Sequence, residues 1–385
     1  MNKLKAVTRA FAFAGVCIAL ASADENANRY NFARAEPSAQ QASEIAATFT
    51  VKPGQSIQAA IDRAQAGDRV ELLPGVYEQT VAVDRDGISI VGKIENGERP
   101  VLDGKNTMGD AVQVSGSDFS IEGIAIRNYL GNGVVANKAK NVRFVDLVVD
   151  NTGLYGVYPV ECVGVHVERC VVSRIADAGI YVGQSKDIVV QDNEVYNNVA
   201  GIEIENSSNA LVSNNSAHHN TGGILVFVLP NNPSKIGENT RVVGNRLWAN
   251  NHPNFAKPGS SVSFIPPGIG VFVMAADRTE ITKNIFEDNQ SFGISVVSLK
   301  NSSSLKGKEY TLDVQPDSDH TLIHGNTFVN NGSQPAPRYI ELAGKGGDLF
   351  WDGTGQGNAW NESPDLVTVP PALPKPDSAF TGAGR

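Results

Sequence analysis

The 385-residue chain has only three cysteines, six histidines and 7% aromatic residues, and it carries no excess of positive charge. Each shortage removes a class. With 32 Lys and Arg against 41 Asp and Glu there is no basic surface for a phosphate backbone, so no nucleic-acid partner is expected. No stretch approaches the ~20 apolar residues of a membrane helix, so membrane insertion is not expected either. Metal-spaced His or Cys clusters, a phosphate loop and a serine nucleophile motif are likewise missing.

The first 23 residues stand apart. Lys3, Lys5 and Arg9 precede an apolar run, Ala10 to Ala21, that closes on Ala21-Ser22-Ala23. This is the pattern of a secretory signal peptide, with cleavage expected after Ala23 and a periplasmic or secreted product. Export leaves two cysteines, Cys162 and Cys170, either disulfide-bonded or held as two buried thiols. Residues 24–47 are rich in Ala, Asn, Gln and Glu without periodicity and read as a disordered leader; residues 361–385 read as a Pro-rich, irregular tail.

Between them the chain is a repeat. Gly133, Gly156, Gly179, Gly201 and Gly223 each open a strand-like segment (VVAN, VYPV, IYVG, IEIE, ILVF) at spacings of 23, 23, 22 and 22 residues. Gly270 and Gly293 continue the series after insertions. A second segment per repeat ends in Asn193, Asn215, Asn245, Asn284 and Asn326, with Cys170 and Leu147 at that position in earlier repeats. Strands of about five residues with period-two alternation cannot bury a face alone, but stacked coil on coil they enclose a continuous core. The expected fold is therefore all-β: a single right-handed parallel β-helix over 48–360, with an asparagine ladder at about 4.8 Å per coil.

The segment TVKPGQSIQAAIDRAQAGDRVELLPGVYEQTV, with a short amphipathic helix from about Ser56 to Ala64, suits an N-terminal cap over 50–80. Insertions fall at about 228–241, 250–268 and 298–320 and are expected to wall one side of the coil.

Counting from each leading glycine, the first and third residues are apolar and point inward, so the second and fourth point outward to solvent. Outward pairs run Val135 and Asn137, Tyr158 and Val160, Tyr181 and Gly183, Glu203 and Glu205, then Leu225 and Phe227, and Phe272 and Met274. Tyr158, Tyr181 and Glu203 form a column about 5 Å apart, with Glu205 about 6.6 Å from Glu203 along the strand and Asp177 in the turn leading in. A polysaccharide groove is one reading: Tyr158, Tyr181, Asp177 and Glu203 are the candidate catalytic residues, and Tyr155, Glu161, Gln184, Glu205, Arg143 and His166 the candidate substrate contacts. A tyrosine stack that only ties adjacent coils together is the plainer one.

Carboxylates about 6.5 to 9.5 Å apart suit an inverting glycosidase. Clustered carboxylates with asparagine oxygens also make a Ca²⁺ donor set, so calcium is the one candidate cofactor. On the next strand the outward column reads Ser120, Arg143, His166, Val189, offering a base beside a guanidinium. His218 and His219 occupy a turn.

The glycine-led repeats and asparagine ladder resemble the right-handed parallel β-helix superfamily of pectate lyases and mannuronan C5-epimerases over about residues 50–335. The periplasmic epimerases carry Tyr-Gly-x-Asp-Pro-His-Asp. Tyr155, Gly156 and Pro159 match it, whereas Tyr158, Val160 and Glu161 stand at its Asp, His and final Asp. The chain also resembles a family of exported bacterial β-helix proteins of unassigned activity, through YGVYPV (155–160), DAGIYVGQS (177–185), GIEIENS (201–207) and NTGGILVF (220–227). A third relative is the periplasmic β-helix factor that helps mature the copper sites of nitrous oxide reductase. These resemblances imply either an exported polysaccharide lyase or hydrolase, or a non-catalytic module that binds a glycan or an exported partner protein.

Overall fold

A computed structural model describes residues 46–301, 312–371 and 374–375; the signal peptide, most of the leader and the end of the tail lie outside the described residues. Parallel strands form three sheets of twelve, eleven and ten, wound as a right-handed parallel β-helix. One coil illustrates the rest: Val157–Val160 belongs to the glycine-led sheet, Val163–Glu168 to the second sheet and Val171–Ser173 to the third. The next coil repeats them as Ala178–Gly183, Lys186–Gln191 and Glu194–Tyr196.

Corners between sheets are made by single left-handed residues, such as Glu161, Gln184 and Asn206 at the first corner and Asn197 and His219 at the third. Asn and Asp tolerate this region best, which is why they punctuate the repeat. Gly156 opens its strand because a Cβ there would strike Val172 and the Gly179 carbonyl of neighbouring strands. Pro159 has no N–H to give, and only Val157 with Ile180 and Val160 with Gly183 remain paired across that step.

Inward residues such as Val157, Ile180, Ile202 and Ile224 are fully buried in one core that runs the length of the coil. Asn193, Asn215, Asn245, Asn284 and Asn326 form the expected ladder, each side-chain amide donating to the next Oδ1 at 2.9 to 3.0 Å. A second ladder follows at the third corner through Asn220, Asn250, Asn289 and Asn331 at 3.0 to 3.2 Å.

Helix Ile57–Ile61 closes the first coil; Ser56 Oγ accepts its capping bond from the Ala59 N–H at 3.1 Å. At the other end the described tail residues, 361–371 and 374–375, are largely irregular, with one short strand. Thr368–Val369 pairs with Leu349 and Phe350, and an unforeseen helix, Pro337–Ala343, lies ahead of that coil.

The outer face of the glycine-led sheet carries a second apolar core, in which Leu225, Phe227, Phe272, Met274, Phe292 and Phe350 pack against Val262, Ile265, Leu299 and Tyr339. Those covering residues come from the insertions after Trp248 and Val297 and from the late helix. The coil thus has a covered far half and, over the strands Val112–Val114 and Val134–Asn137, an uncovered near half: Gln113 and Asn137 are exposed there.

Candidate functional site

The site lies where covered and uncovered halves meet. Register stacking sets Tyr181 beside Glu203 and Gly183 beside Glu205, as the spacing requires, and Asp177 enters from the turn before Ala178. Tyr155, Tyr158 and Tyr181 meet with ring centroids 4.4, 4.7 and 5.0 Å apart. Gly183 matters to this arrangement: a Cβ there would collide with the Tyr181 hydroxyl, which folds back over it toward Glu205.

The structure corrects one expectation. From the strand Ala178–Gly183 onward the outward side does not face solvent: Tyr181 is 5% exposed, Glu203 1%, and Asp177 and Glu205 6% each. Their direction follows the strand pleat as expected, but loop 228–237 reaches Glu205, and Val262 and Ile265 of the next insertion join Tyr181 in the outer apolar core. Asn206 Oδ1 accepts from the Leu229 N–H at 2.9 Å and from Asn232 Nδ2 at 3.0 Å, and Asn206 Nδ2 donates to the Leu229 and Ser234 carbonyls at 2.9 and 2.8 Å. Asn232 Nδ2 also donates to Glu205 Oε1 at 2.6 Å. Tyr155 and Tyr158 remain half-buried beside the carboxyls, as do Gln184 and Asn232.

Among the described residues no lysine or arginine pairs with Asp177, Glu203 or Glu205. Asp177 Oδ1 and Glu203 Oε1 have no hydrogen-bond partner at all. Charging these groups is therefore costly. Burial, and then the Glu205 carboxylate, pushes Asp177 up to about 7. Burial takes Glu205 to about 7 against the bonds from Asn232 and Tyr181. Burial with Asp177 and Glu205 nearby pushes Glu203 well above the carboxylate range. The same burial, reinforced by the carboxylates, pushes all three phenols up, so none supplies a tyrosinate at neutral pH.

The remaining candidates divide. Gln184 donates to the Tyr181 hydroxyl at 3.2 Å and joins the cluster. Glu161 sits at the corner beside Tyr158, paired with Lys138 at 3.8 Å. Arg143 and His166 are register neighbours on the second sheet, away from the carboxyls, and His166 Nε2 lies 2.6 Å from Glu168 Oε2. Cys162 and Cys170 are separate buried thiols at different corners. Asn206 and Asn232, which clamp the loop, escaped notice in the sequence; the Asn-Asn-Pro run at 231–233 inside the first insertion was their only signal.

Residues 98–365 match the family model described as periplasmic copper-binding protein (NosD). The chain belongs to the NosD family. In keeping with a family of exported periplasmic proteins, no helix among the described residues is long and apolar enough to cross a membrane. No curated protein matches this NosD chain in sequence. Among solved structures it is similar to the A-module of mannuronan C-5 epimerase AlgE6 of Azotobacter vinelandii (TM-score 0.56, 18% identity, 80% of this chain and 82% of that one). It is also similar to an alginate lyase of Paenibacillus sp. str. FPU-7 (TM-score 0.54, 16% identity, 75% and 99%). Both likenesses are those of the right-handed parallel β-helix.

Proposed function

We propose that this NosD-family protein is an exported glycan-binding module that holds a sugar chain on Tyr155 and Tyr158 without turning it over. The observation that carries the reading is the contrast within the cluster. Two half-buried rings, 4.4 Å apart, border the uncovered half of the sheet, while the carboxyls beside them are sealed. Ring faces carry negative charge that favours the C–H faces of a pyranose. Reacting acids, by contrast, must touch substrate, and a phenol pushed upward is a poor base for sugar C5.

One observation favours a catalytic reading: Asp177 and Glu205, poised at about 7, suit proton transfer near neutral pH. That reading, a polysaccharide lyase or hydrolase, requires the Asn206 clamp on loop 228–237 to open.

The two are separated by incubating the mature protein with uronate and neutral oligosaccharides, with and without Ca²⁺. Heat of binding, absorbance of unsaturated ends and new reducing ends are followed together. Saturable binding without new ends is expected. Tyr158→Ala should weaken it at least tenfold, about 1.4 kcal/mol, while Glu203→Gln leaves it intact. No binding to any oligosaccharide refutes the proposal. New ends that vanish in Glu203→Gln would put catalysis in its place.

A further inference from the structure

The charges around Tyr155 and Tyr158 narrow the class of sugar they would hold, an inference that rests on the glycan-binding reading above. Both rings are half-buried and stand 4.4 Å apart with their planes at 35°. Acids flank them along the coil axis and at the corner. Asp110 stands two coils before Tyr155 in the same column, since Val112, Val134 and Val157 are register partners two residues further on. Asp177, Glu203 and Glu205 lie on the following coils, and Glu161 occupies the left-handed corner three residues after Tyr158. The charges that act on the Tyr155 phenol are Asp177, Glu203 and Glu205, and those on Tyr158 are Glu205, Asp177, Glu161 and Asp110. All are acidic.

The groups that bond these acids are mostly neutral amides. Asn132 donates to Asp110 Oδ1 from its N–H and from Nδ2 at 2.8 Å each, Gln113 Nε2 donates to Asp110 Oδ2 at 2.9 Å, and Asn232 Nδ2 donates to Glu205. Asp177 Oδ1 and Glu203 Oε1, on side chains almost wholly buried, have no partner. Among the described residues the one ion pair in the set joins Glu161 to Lys138 at 3.8 Å, and the lysine side chain is 69% exposed, so water screens it. Copper, which the family description names, favours thiolate, thioether or imidazole, whereas the donors here are oxygen. Among the described residues no group of three or more His, Cys, Asp or Glu converges for a metal. The site is thus a pair of phenol faces in an uncompensated negative field, which low-dielectric walls concentrate.

A ligand that brings its own positive charge fits such a field. An ammonium on a pyranose is drawn to a phenol face by the ring quadrupole, within about 6 Å of the centroid, and to the carboxylates beyond it. The C–H face of the same sugar packs on the neighbouring ring. A uronate presents the opposite sign to the same acids and meets no guanidinium that would hold it.

We propose that the glycan held on Tyr155 and Tyr158 is an amino-sugar polymer with free amino groups, its ammonium lying between the ring faces and the surrounding carboxylates.

The test is isothermal titration of the mature protein at pH 7 with three tetrasaccharides: a glucosamine chain, the same chain fully N-acetylated, and a uronate chain. The amino chain should bind at least tenfold tighter than the N-acetylated one, about 1.4 kcal/mol, with the uronate weakest. Added salt should shrink that preference. Glu161→Gln and Asp110→Asn should each reduce it about threefold while affinity for the N-acetylated chain stays within twofold, which also shows that the rings are still in place. Glu122→Gln, an equal loss of charge on the exposed face of the second sheet, should leave the preference unchanged. Equal affinity for the amino and N-acetylated chains, tighter uronate binding, or a preference untouched by both site substitutions would overturn the amino-sugar assignment and leave the glycan site standing. Tetralysine bound as tightly as the amino chain would overturn it too, because charge without a sugar would then suffice. Failure of all three chains to bind would instead remove the glycan site itself.

Discussion

Asp177→Asn isolates the electrostatics of the sealed cluster. The amide matches the protonated acid in shape but cannot ionise. In the folded protein Asp177 titrates at about 7 against an ordinary 3.8. A folded-state value raised in this way favours the folded state only while the unfolded carboxyl is also protonated. Below about pH 4 both states hold the proton and nothing is lost. Between about pH 4 and 7 unfolding releases a proton, so stability falls as pH rises; above about 7 the folded carboxyl ionises too and the loss levels off. The gap of about three pH units, at about 1.36 kcal/mol each, amounts to ~4 kcal/mol.

The stability of Asp177→Asn relative to the parent should therefore rise by up to ~4 kcal/mol between pH 4 and pH 8, somewhat less where coupling to Glu203 and Glu205 shares the proton. Urea unfolding at four pH values and constant ionic strength measures it. A difference that stays flat within about 1 kcal/mol would refute the reasoning, because Asp177 would then be solvated or paired. The same melts with and without EDTA should coincide if protons rather than a cation neutralise the cluster.

Two further outcomes test the scaffold. Asn245→Ala strips partners from the Val212 carbonyl and from both amide groups of Asn215, so it should cost about 3 to 5 kcal/mol by urea unfolding, against under ~0.5 for the exposed Lys186→Ala. Asn206→Gly keeps the left-handed corner but removes the clamp. Amide exchange across 228–237 should rise roughly thirtyfold, about 2 kcal/mol of local opening, with the ladder strands unchanged; uniform exchange would show that the loop is held by other contacts.

Much of this protein is legible from local pattern. Leading glycines 22 or 23 residues apart, alternation within each strand and the recurring asparagine dictate a coil, because a five-residue strand can bury its apolar face only against its own repeats. The same count put Tyr158, Tyr181, Glu203 and Glu205 on one side of one sheet, and the register agrees. The second asparagine ladder stands at the matching spacings of 30, 39 and 42 residues in Asn220, Asn250, Asn289 and Asn331.

Burial of the carboxyls was not legible, although the apolar outward residues Leu225, Phe227, Phe272 and Met274 did point to loops packing on them. Whether an outward side chain meets water depends on what crosses above it, and Asn232 reaches Glu205 from 27 positions away. Nor could spacing show that His218 would lie between Tyr196 and Trp248, since Trp248 follows an insertion that only the folded register brings into line. Direction of a side chain is a property of the strand that bears it. Its solvent exposure, its proton affinity and its partners belong to the loops that close over it, and these were decided by the tertiary structure alone.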